Sequence, residues 1–150
     1  MQIITATKGD YLITTDKEKL DVPFIHHFLS KEAYWSKDIP LDTVQRSIQN
    51  SLNFGVYHHD KQVGYARIIS DYATVAYLGD VFIIPDHRGK GLSKWLVEQV
   101  MAHPDLRGLR RWILLTRDAH ELYRQYGWQS IASPDKWMEV HHPEVYSHRR

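Results

Sequence analysis

A short segment from Pro85 to Ser93, with the sequence PDHRGKGLS, combines glycines with basic side chains in a pattern suited to binding phosphate. It follows an apolar run that predicts a strand and precedes an amphipathic run that predicts a helix. The first amides of a helix lack intrahelical acceptors, and glycine lets a phosphate approach them closely. Arg88 and Lys90 add positive charge there. The segment therefore predicts an anion site built largely from backbone N–H groups.

Two common phosphate-binding motifs do not match this segment. The Walker motif requires a glycine, four further residues and then Gly-Lys-Ser or Gly-Lys-Thr, whereas the dinucleotide motif requires three glycines spaced G-x-G-x-x-G. Only Gly89 and Gly91 are present here. The residues alone leave two alternatives open, which are a domain that binds another nucleotide and a turn that caps the helix without a ligand.

The wider context of the segment resembles the GNAT superfamily of N-acetyltransferases. The family signature is Arg/Gln-x-x-Gly-x-Gly/Ala after a strand that ends in Val-x-Pro, and the stretch Asp80–Leu92, DVFIIPDHRGKGL, is similar to it. A second stretch, Ala119–Trp128, AHELYRQYGW, resembles the family's Ala-x-x-Leu-Tyr-x-x-x-Gly-Phe. Because both stretches occur in the family's order, the resemblance covers roughly the whole chain.

The resemblance implies acetyl-coenzyme A (acetyl-CoA) as co-substrate and no metal. The loop amides would hold the pyrophosphate, and the pantetheine arm would enter between two splayed strands, Val81–Ile84 and Trp112–Leu115. The N–H near Ile83 would polarise the acetyl carbonyl. The residues expected to contact the coenzyme are Phe82, Ile83, Arg88, Gly89, Lys90, Gly91, Leu92, Ser93 and His120.

Two positions depart from the family pattern. Ser93 stands where the family prefers glycine or alanine, but serine keeps the backbone N–H that the phosphate needs. The segment after the second strand is shorter than usual and lacks the asparagine that often contacts the coenzyme. His120 or Asp118 is expected to replace that contact, or nothing replaces it.

The resemblance also implies a candidate acid, whereas the family has no universal base and the candidate base comes from its position in the sequence. Tyr123 matches the family tyrosine that protonates the leaving thiolate, and its alternative role is that of an ordinary core aromatic. Asp80, at the start of a buried run, is a candidate general base, because burial would raise the pKa of its carboxyl. Asp80 as a structural hydrogen-bond partner of a nearby loop, or a chain of water molecules as the base, are the alternatives.

The implied reaction is acetyl transfer from acetyl-CoA to a primary amine by direct attack in a ternary complex. The chain has no cysteine to carry the acetyl group, which fits direct attack. Tyr34 and Trp35 are candidate acceptor-binding residues, since aromatic rings hold planar or cationic groups, or else they anchor their loop. The acceptor is expected to be a small-molecule or peptide amine, and a homodimer is compatible with the family. A non-catalytic acyl-CoA sensor or partner-binding module on the same fold is the alternative function.

Composition excludes several other classes of function. Nineteen Lys and Arg residues against eighteen Asp and Glu give a net charge of +1, so no nucleic-acid partner is expected. No segment is apolar enough to span a membrane, and the expected location is cytoplasmic. The ten histidines include the pairs His58-His59 and His141-His142. Both pairs are expected in strands, where neighbouring side chains point to opposite faces, so no metal site is expected.

The elements that must position these residues follow from periodicity. Apolar residues at helical spacing predict one helix from Val22 to Leu29 and another from Leu41 to Leu52. Two further helices are predicted at Gly89–His103 and Ala119–Tyr126. The predicted strands are Tyr11–Thr15, Phe54–His59, Val63–Ser70, Thr74–Ile84 and Trp112–Leu115, with weaker ones at Trp128–Ala132 and Trp137–His142. The expected fold is a single α+β (mixed α/β) domain over residues 1–150. Its twisted, mostly antiparallel sheet has a central splayed parallel strand pair and helices on both faces.

Overall fold

The computed structural model describes residues 2–147, and in this part of the chain six strands form one sheet in chain order. The strands are β1 (Thr5–Lys8), β2 (Tyr11–Thr14), β3 (Leu52–His58), β4 (Lys61–Ser70), β5 (Val75–Ile83) and β6 (Arg111–Leu114). The α-helices are α1 (Val22–His27), α2 (Leu41–Gln49), α3 (Leu92–Met101) and α4 (His120–Arg124). A π-helical turn, Phe28–Glu32, continues α1. None of the described helices is long and apolar enough to cross a bilayer.

The sheet is antiparallel from β1 to β5, and β5 pairs with β6 in parallel. Residues Val75–Leu78 of β5 pair with Arg111–Leu114, whereas the rest of β5 continues beyond the end of β6. The two strands therefore share only their first parts. This confirms the predicted mostly antiparallel sheet with one parallel pair, which lies at one end of the described sheet.

Helices cover both faces of the sheet, as predicted, and each face has its own apolar cluster. On one face, α3 contributes a stripe of apolar residues to the larger cluster. The buried residues of that stripe are Leu92, Trp95, Leu96 and Val100. On the other face, α1, the π-helical turn and α2 enclose the smaller cluster, in which the rings of Phe28 and Phe82 stack with centroids 3.8 Å apart.

A β-bulge interrupts β5 at Asp80. Tyr65 of β4 is opposite Phe82 and Arg67 is opposite Gly79, so β5 has one more residue than β4 over this interval. Asp80 has a φ of +53°, in the left-handed region that aspartate tolerates better than most residues. A bulge bends its strand and redirects the side chains that follow it. This one places Asp80 beside the loop after α1.

Two predicted helix boundaries are wrong. Leu52 lies at helical spacing after Ile48, but it begins β3, because α2 ends at Gln49 and the Asn53 amide donates to the carbonyl oxygens of Ile48 and Ser51. The third helix begins at Leu92 rather than Gly89. Gly89 and Gly91 have φ angles of +79° and +76°, which a right-handed helix does not allow.

The predicted C-terminal strands are absent from the described residues. The segments 128–132 and 137–142 have no strand partner there, and they form irregular backbone on either side of a 3-10 turn at Pro134–Lys136. β6 is consequently an edge strand. Its predicted last residue, Leu115, lies outside it and is 80% exposed, so the apolar run Trp112–Leu115 is less buried than the sequence suggests.

Candidate active site

The glycine-containing loop is fixed to the end of β5 by hydrogen bonds. The Ile84 N–H donates to the Val63 carbonyl at 2.9 Å, and a 3-10 turn follows at Pro85–His87. The Arg88 Nε then donates to the Ile83 carbonyl at 2.8 Å, which folds the loop back onto its own strand. These bonds place the glycines directly in front of α3.

Open space surrounds both glycines of the loop. A Cβ added to Gly89 or Gly91 would meet no atom within 4 Å, so their positive φ angles, rather than crowding, call for glycine. The first hydrogen bond of α3 runs from the Trp95 N–H to the Gly91 carbonyl at 3.1 Å. The amides of Leu92 and Ser93 precede it and have no acceptor within the helix. The loop can therefore receive an anion at backbone N–H groups.

The side chains along this loop differ in what they can offer. Lys90 is exposed and adds positive charge, whereas Leu92, the first residue of α3, is buried in the larger cluster and can contribute only its amide. The side chains of Phe82 and Ile83 are also buried, at 5% and 4% exposure, in opposite faces of the sheet. Any contact that these two residues make in the gap beyond β6 must come from the backbone.

Tyr123 lies on α4 and is buried, with its ring centroid 5.8 Å from that of Trp128. It borders a cavity of about 290 Å³ that runs along β6 and is also lined by residues 128–131. Burial, and secondarily the neighbouring Tyr34, raises the pKa of the Tyr123 phenol to about 12. The phenol is therefore neutral at physiological pH and can donate a proton or a hydrogen bond.

His120 begins α4 and lines the same cavity as Tyr123, but its side chain is exposed. Asp118 is exposed on the preceding bend. The Ala119 N–H donates to the Thr116 hydroxyl at 3.0 Å, which holds this bend at the end of β6. Of the two residues that stand near the place of the usual asparagine, only His120 therefore faces the cavity.

Both carboxylate oxygens of Asp80 accept hydrogen bonds. The Trp35 indole N–H donates to Oδ1 at 2.8 Å, and the Arg67 Nε donates to Oδ2 at 2.8 Å. The ion pair with Arg67 is largely buried, with side-chain exposures of 18% and 11%. Arg67 also donates to the Ser51 hydroxyl at 3.1 Å. Asp80 thus joins β4, β5 and the loop after α1.

Tyr34 and Trp35 are half exposed and form a 3-10 turn with Ser36. The Arg117 backbone N–H donates to the Tyr34 hydroxyl at 3.2 Å, and the Arg117 guanidinium lies 3.8 Å from the centre of the Tyr34 ring. The turn is thereby attached to the end of β6 through Tyr34 and to β5 through Trp35. It spans the region in front of the gap where β5 continues past β6.

The comparisons with known proteins agree with this geometry. The sequence model of the acetyltransferase (GNAT) family matches residues 22–128. The chain belongs to this family. The GNAT fold is that of an acyltransferase family, so the prediction of an acetyltransferase is confirmed.

Individual relatives of this GNAT protein agree. A protein of Gibberella zeae named as an acetyltransferase is 34% identical over 139 residues, with 78% of this chain and 77% of its own length covered. The crystal structure of a GNAT-family acetyltransferase from Xanthomonas campestris pv. campestris is 53% identical, with a TM-score of 0.89 and coverage of 91% of this chain and 96% of its own. An acetyltransferase from Clostridium acetobutylicum, crystallised with acetyl-CoA, shares the fold at a TM-score of 0.55 and 14% identity, with 99% of both chains covered.

In this GNAT protein the structure brings some of the predicted residues together and separates others. Asp80, Trp35 and Tyr34 form one connected group, and Tyr34 lies near enough to Tyr123 to raise the pKa of its phenol, while the loop Arg88–Ser93 follows the end of β5. Sequence reasoning missed Arg67 and Arg117. Arg67 stands alone among apolar residues in the run Val63–Ile69, which is a usable signal, because a charged side chain in such a strand normally requires a partner.

Proposed function

We propose that this GNAT protein transfers the acetyl group of acetyl-CoA to a primary amine by direct attack in a ternary complex. The observation that carries the proposal is the pairing of two features on neighbouring elements. One is the loop with two left-handed glycines that leads into α3, and the other is the buried, protonated Tyr123 beside the end of β6. A phosphate anchor after the end of β5 and a proton donor beside the end of the parallel strand β6 suit a thioester that carries a diphosphate.

The loop amides from Gly89 to Ser93 would hold the pyrophosphate of the coenzyme, with Lys90 as an additional positive charge. The open space around Gly89 and Gly91 fits the close approach of phosphate oxygens to the backbone. When bound, the coenzyme supplies an activated acyl group. Its arm would then follow the gap beside the backbone of Phe82 and Ile83, where the Ile83 N–H is the candidate donor to the acetyl oxygen.

In the transfer step, the lone pair of the neutral amine forms the new C–N bond and the C–S bond breaks. The leaving thiolate takes a proton from the Tyr123 hydroxyl, the extra proton on the nitrogen passes to water, and the Tyr123 phenolate then takes a proton back from water. A phenol with a pKa of about 12 remains protonated until the thiolate forms. Tyr123 therefore keeps a proton that it can donate to the sulfur as negative charge develops there. The raised pKa makes it a weaker acid than a free phenol, and it is not available as a base at neutral pH.

The role of Asp80 is positional rather than that of a general base. A proton on the Asp80 carboxyl would remove the negative charge that pairs with Arg67 and that the Trp35 N–H contacts. Breaking the largely buried ion pair would leave the Arg67 charge without its partner, which is costly. Asp80 holds the turn of Tyr34 and Trp35 over the acceptor side of the gap, and solvent takes the proton of the amine.

The test follows free thiol release from acetyl-CoA with a panel of amino acids, polyamines, aromatic amines and short peptides. Calorimetry with CoA and acetyl-CoA is run on the same protein. Saturable binding together with amine-dependent thiol release is the expected result. Binding without thiol release from any amine class would instead favour an acyl-CoA sensor, and absence of binding heat would refute the coenzyme assignment.

A second copy of the chain is the proposed partner at the outer edge of β6. Within residues 2–147 no strand pairs with this edge, and exposed apolar side chains lie near it or in the C-terminal segment: Leu115 at 80%, Met138 at 97% and Val140 at 88% exposure. Unpaired edges and apolar patches of this kind usually mark interfaces. Light scattering should give a dimer that Val140→Glu dissociates, while Ile3→Glu beyond β1 does not. A monomer at every concentration would exclude this assembly.

A further inference from the structure

Two hairpin turns lie side by side at the end of the sheet that also carries the loop Arg88–Ser93, which we call the phosphate loop. The turn between β1 and β2 contains Asp10, and the turn between β3 and β4 begins at His59. The His59 N–H donates to the Asp10 carbonyl at 3.3 Å, so the backbone itself holds the two turns together. The side chains of these turns are exposed or partly exposed.

The two histidines of this region do not point to opposite faces of a strand, contrary to the expectation from sequence. β3 ends at His58, and His59 has a φ of +56°, which turns its side chain back toward its neighbour. The two rings lie with their centroids 4.3 Å apart. One nitrogen of each ring and one carboxylate oxygen of Asp10 all lie within 4.8 Å of one another.

We propose that Asp10, His58 and His59 bind a divalent ion of the late first-row transition metals, such as Zn²⁺. Two imidazoles and one carboxylate are ligands that these metals prefer. Ligand atoms around a tetrahedral zinc ion lie about 3.4 Å apart when the bonds are about 2.1 Å long. The present spacing of up to 4.8 Å is wider than this, and the exposed side chains of Asp10 and His59 must move toward His58 when the ion binds.

His87 is the candidate for the fourth position, which water fills otherwise. Its ring centroid lies 5.0 Å from that of His58, and its Nδ1 contacts the Tyr11 hydroxyl at 2.8 Å, which orients the ring.

The site does not depend on the proposed acetyl transfer. None of its three ligands belongs to the loop Arg88–Ser93, to Tyr123 or to the group around Asp80. The metal is therefore assigned a place on the surface beside the phosphate loop rather than a part in the transfer step. Its test can be read without any activity measurement.

The experiment titrates untagged, chelator-treated protein with Zn²⁺ in an isothermal calorimeter at pH 7.5. One ion per chain is expected, released again by EDTA. The test variant is His58→Gln with His59→Asn, because asparagine tolerates the left-handed backbone of position 59. Loss of direct ligands should weaken binding at least as much as the roughly 10- to 100-fold that loss of an outer-shell partner costs.

The matched control is the double variant His141→Gln with His142→Gln, which removes another exposed histidine pair and should leave Zn²⁺ affinity unchanged. In a second measurement, paramagnetic Ni²⁺ should broaden the amide NMR signals of Asp10, His58 and His59 before any others. Absence of saturable binding, equal weakening by the control variant, or broadening centred on another part of the chain would each overturn the assignment.

Discussion

The Trp35 indole N–H donates a 2.8 Å hydrogen bond to Asp80 Oδ1, across 45 positions of the chain. This bond links the turn after the π-helical segment to the bulge of β5. The other oxygen of Asp80 pairs with Arg67, so the carboxylate is held from two sides. The position of the turn formed by Tyr34, Trp35 and Ser36 therefore depends on this contact with the sheet.

Replacement of Trp35 by phenylalanine tests this link. The variant keeps an aromatic ring but loses the N–H, so the turn is released from Asp80 while the ion pair with Arg67 remains. We expect KM for the amine to rise about five- to tenfold, equivalent to ~1 kcal/mol, with the Kd for CoA unchanged. Trp137→Phe, at a similarly exposed tryptophan in the C-terminal segment, is the control. An unaltered KM in Trp35→Phe would argue against the positional role.

Tyr123→Phe removes the hydroxyl group of the proposed acid and keeps the aromatic ring. Loss of general acid catalysis should lower kcat about 100-fold or more, while CoA affinity stays the same. Tyr126→Phe is the matched control on the next turn of the chain, because its hydroxyl bonds to Glu98 at 2.9 Å rather than facing the cavity. Steady-state kinetics with saturating amine separate the two variants. Equal kcat values for both would remove Tyr123 from the mechanism.

Gly91→Ala tests the phosphate loop. The methyl group meets no protein atom, but it forces a left-handed alanine and occupies the space through which a phosphate would approach. The variant should lose about 1–2 kcal/mol of unfolding free energy. Gly108→Ala, at a φ of +77° with equally open surroundings, should lose the same amount. Only Gly91→Ala should weaken CoA binding, by about tenfold or more in calorimetry. Equal losses of CoA affinity in both variants would contradict the proposed phosphate site.

Stability should fall at alkaline pH because burial raises the pKa values of Tyr57, Tyr65 and Tyr123. Above pH 10 an unfolded tyrosine loses its proton, whereas Tyr123 in the folded protein keeps it up to a pKa of about 12. Unfolding then releases protons, so the free energy of unfolding decreases as pH rises from about 10 to 12 and is unaffected below that range. Guanidinium unfolding curves at pH 8, 10 and 11 measure this effect.

Tyr57→Phe provides a sharper version of the same measurement. Among the described residues, the buried Tyr57 hydroxyl has no hydrogen-bond partner. Its removal should raise the unfolding free energy at pH 8 by about 1 kcal/mol and reduce the alkaline decrease. Tyr65→Phe differs, because the Tyr65 hydroxyl donates to Asn53, so this variant should be destabilised at pH 8. A Tyr57→Phe protein with the wild-type pH dependence would contradict the assignment.

Much of the fold was accessible from sequence because it depends on local patterns. The inward stripe of α3, from Leu92 to Val100, and the glycines of the preceding loop are short-range features, and the structure has both. The succession of strands and helices along the chain follows from the same periodicity. Their agreement with two family motifs was enough to predict the sheet and its parallel pair.

The remaining features depend on contacts between distant residues. Arg67 and Asp80 meet because β4 and β5 pair in one register, and the bulge alone brings the carboxylate to face the guanidinium. The left-handed backbone of His59 could not be predicted, because the residues alone do not show where β3 ends. A two-residue hairpin loop in this stretch can begin at either of two neighbouring positions. The strand β1 was missed because a run of four residues, Thr5–Lys8, with little burial leaves no apolar pattern to detect.

The extra residue in β5 also shifts the alternation of its side chains between the two faces of the sheet. Before the bulge, Ala76 and Leu78 point into the layer of α3, and after it Ile83 does so while Phe82 reaches the layer of α1. Deleting one residue between Gly79 and Phe82 would restore strict alternation opposite β4 and leave Phe82 and Ile83 on the faces that they occupy now. The loss would be the bulge itself, and with it the position from which the Asp80 carboxylate reaches both Trp35 and Arg67. A change of length here should therefore release the turn after the π-helical segment while leaving the Phe28–Phe82 stack in place.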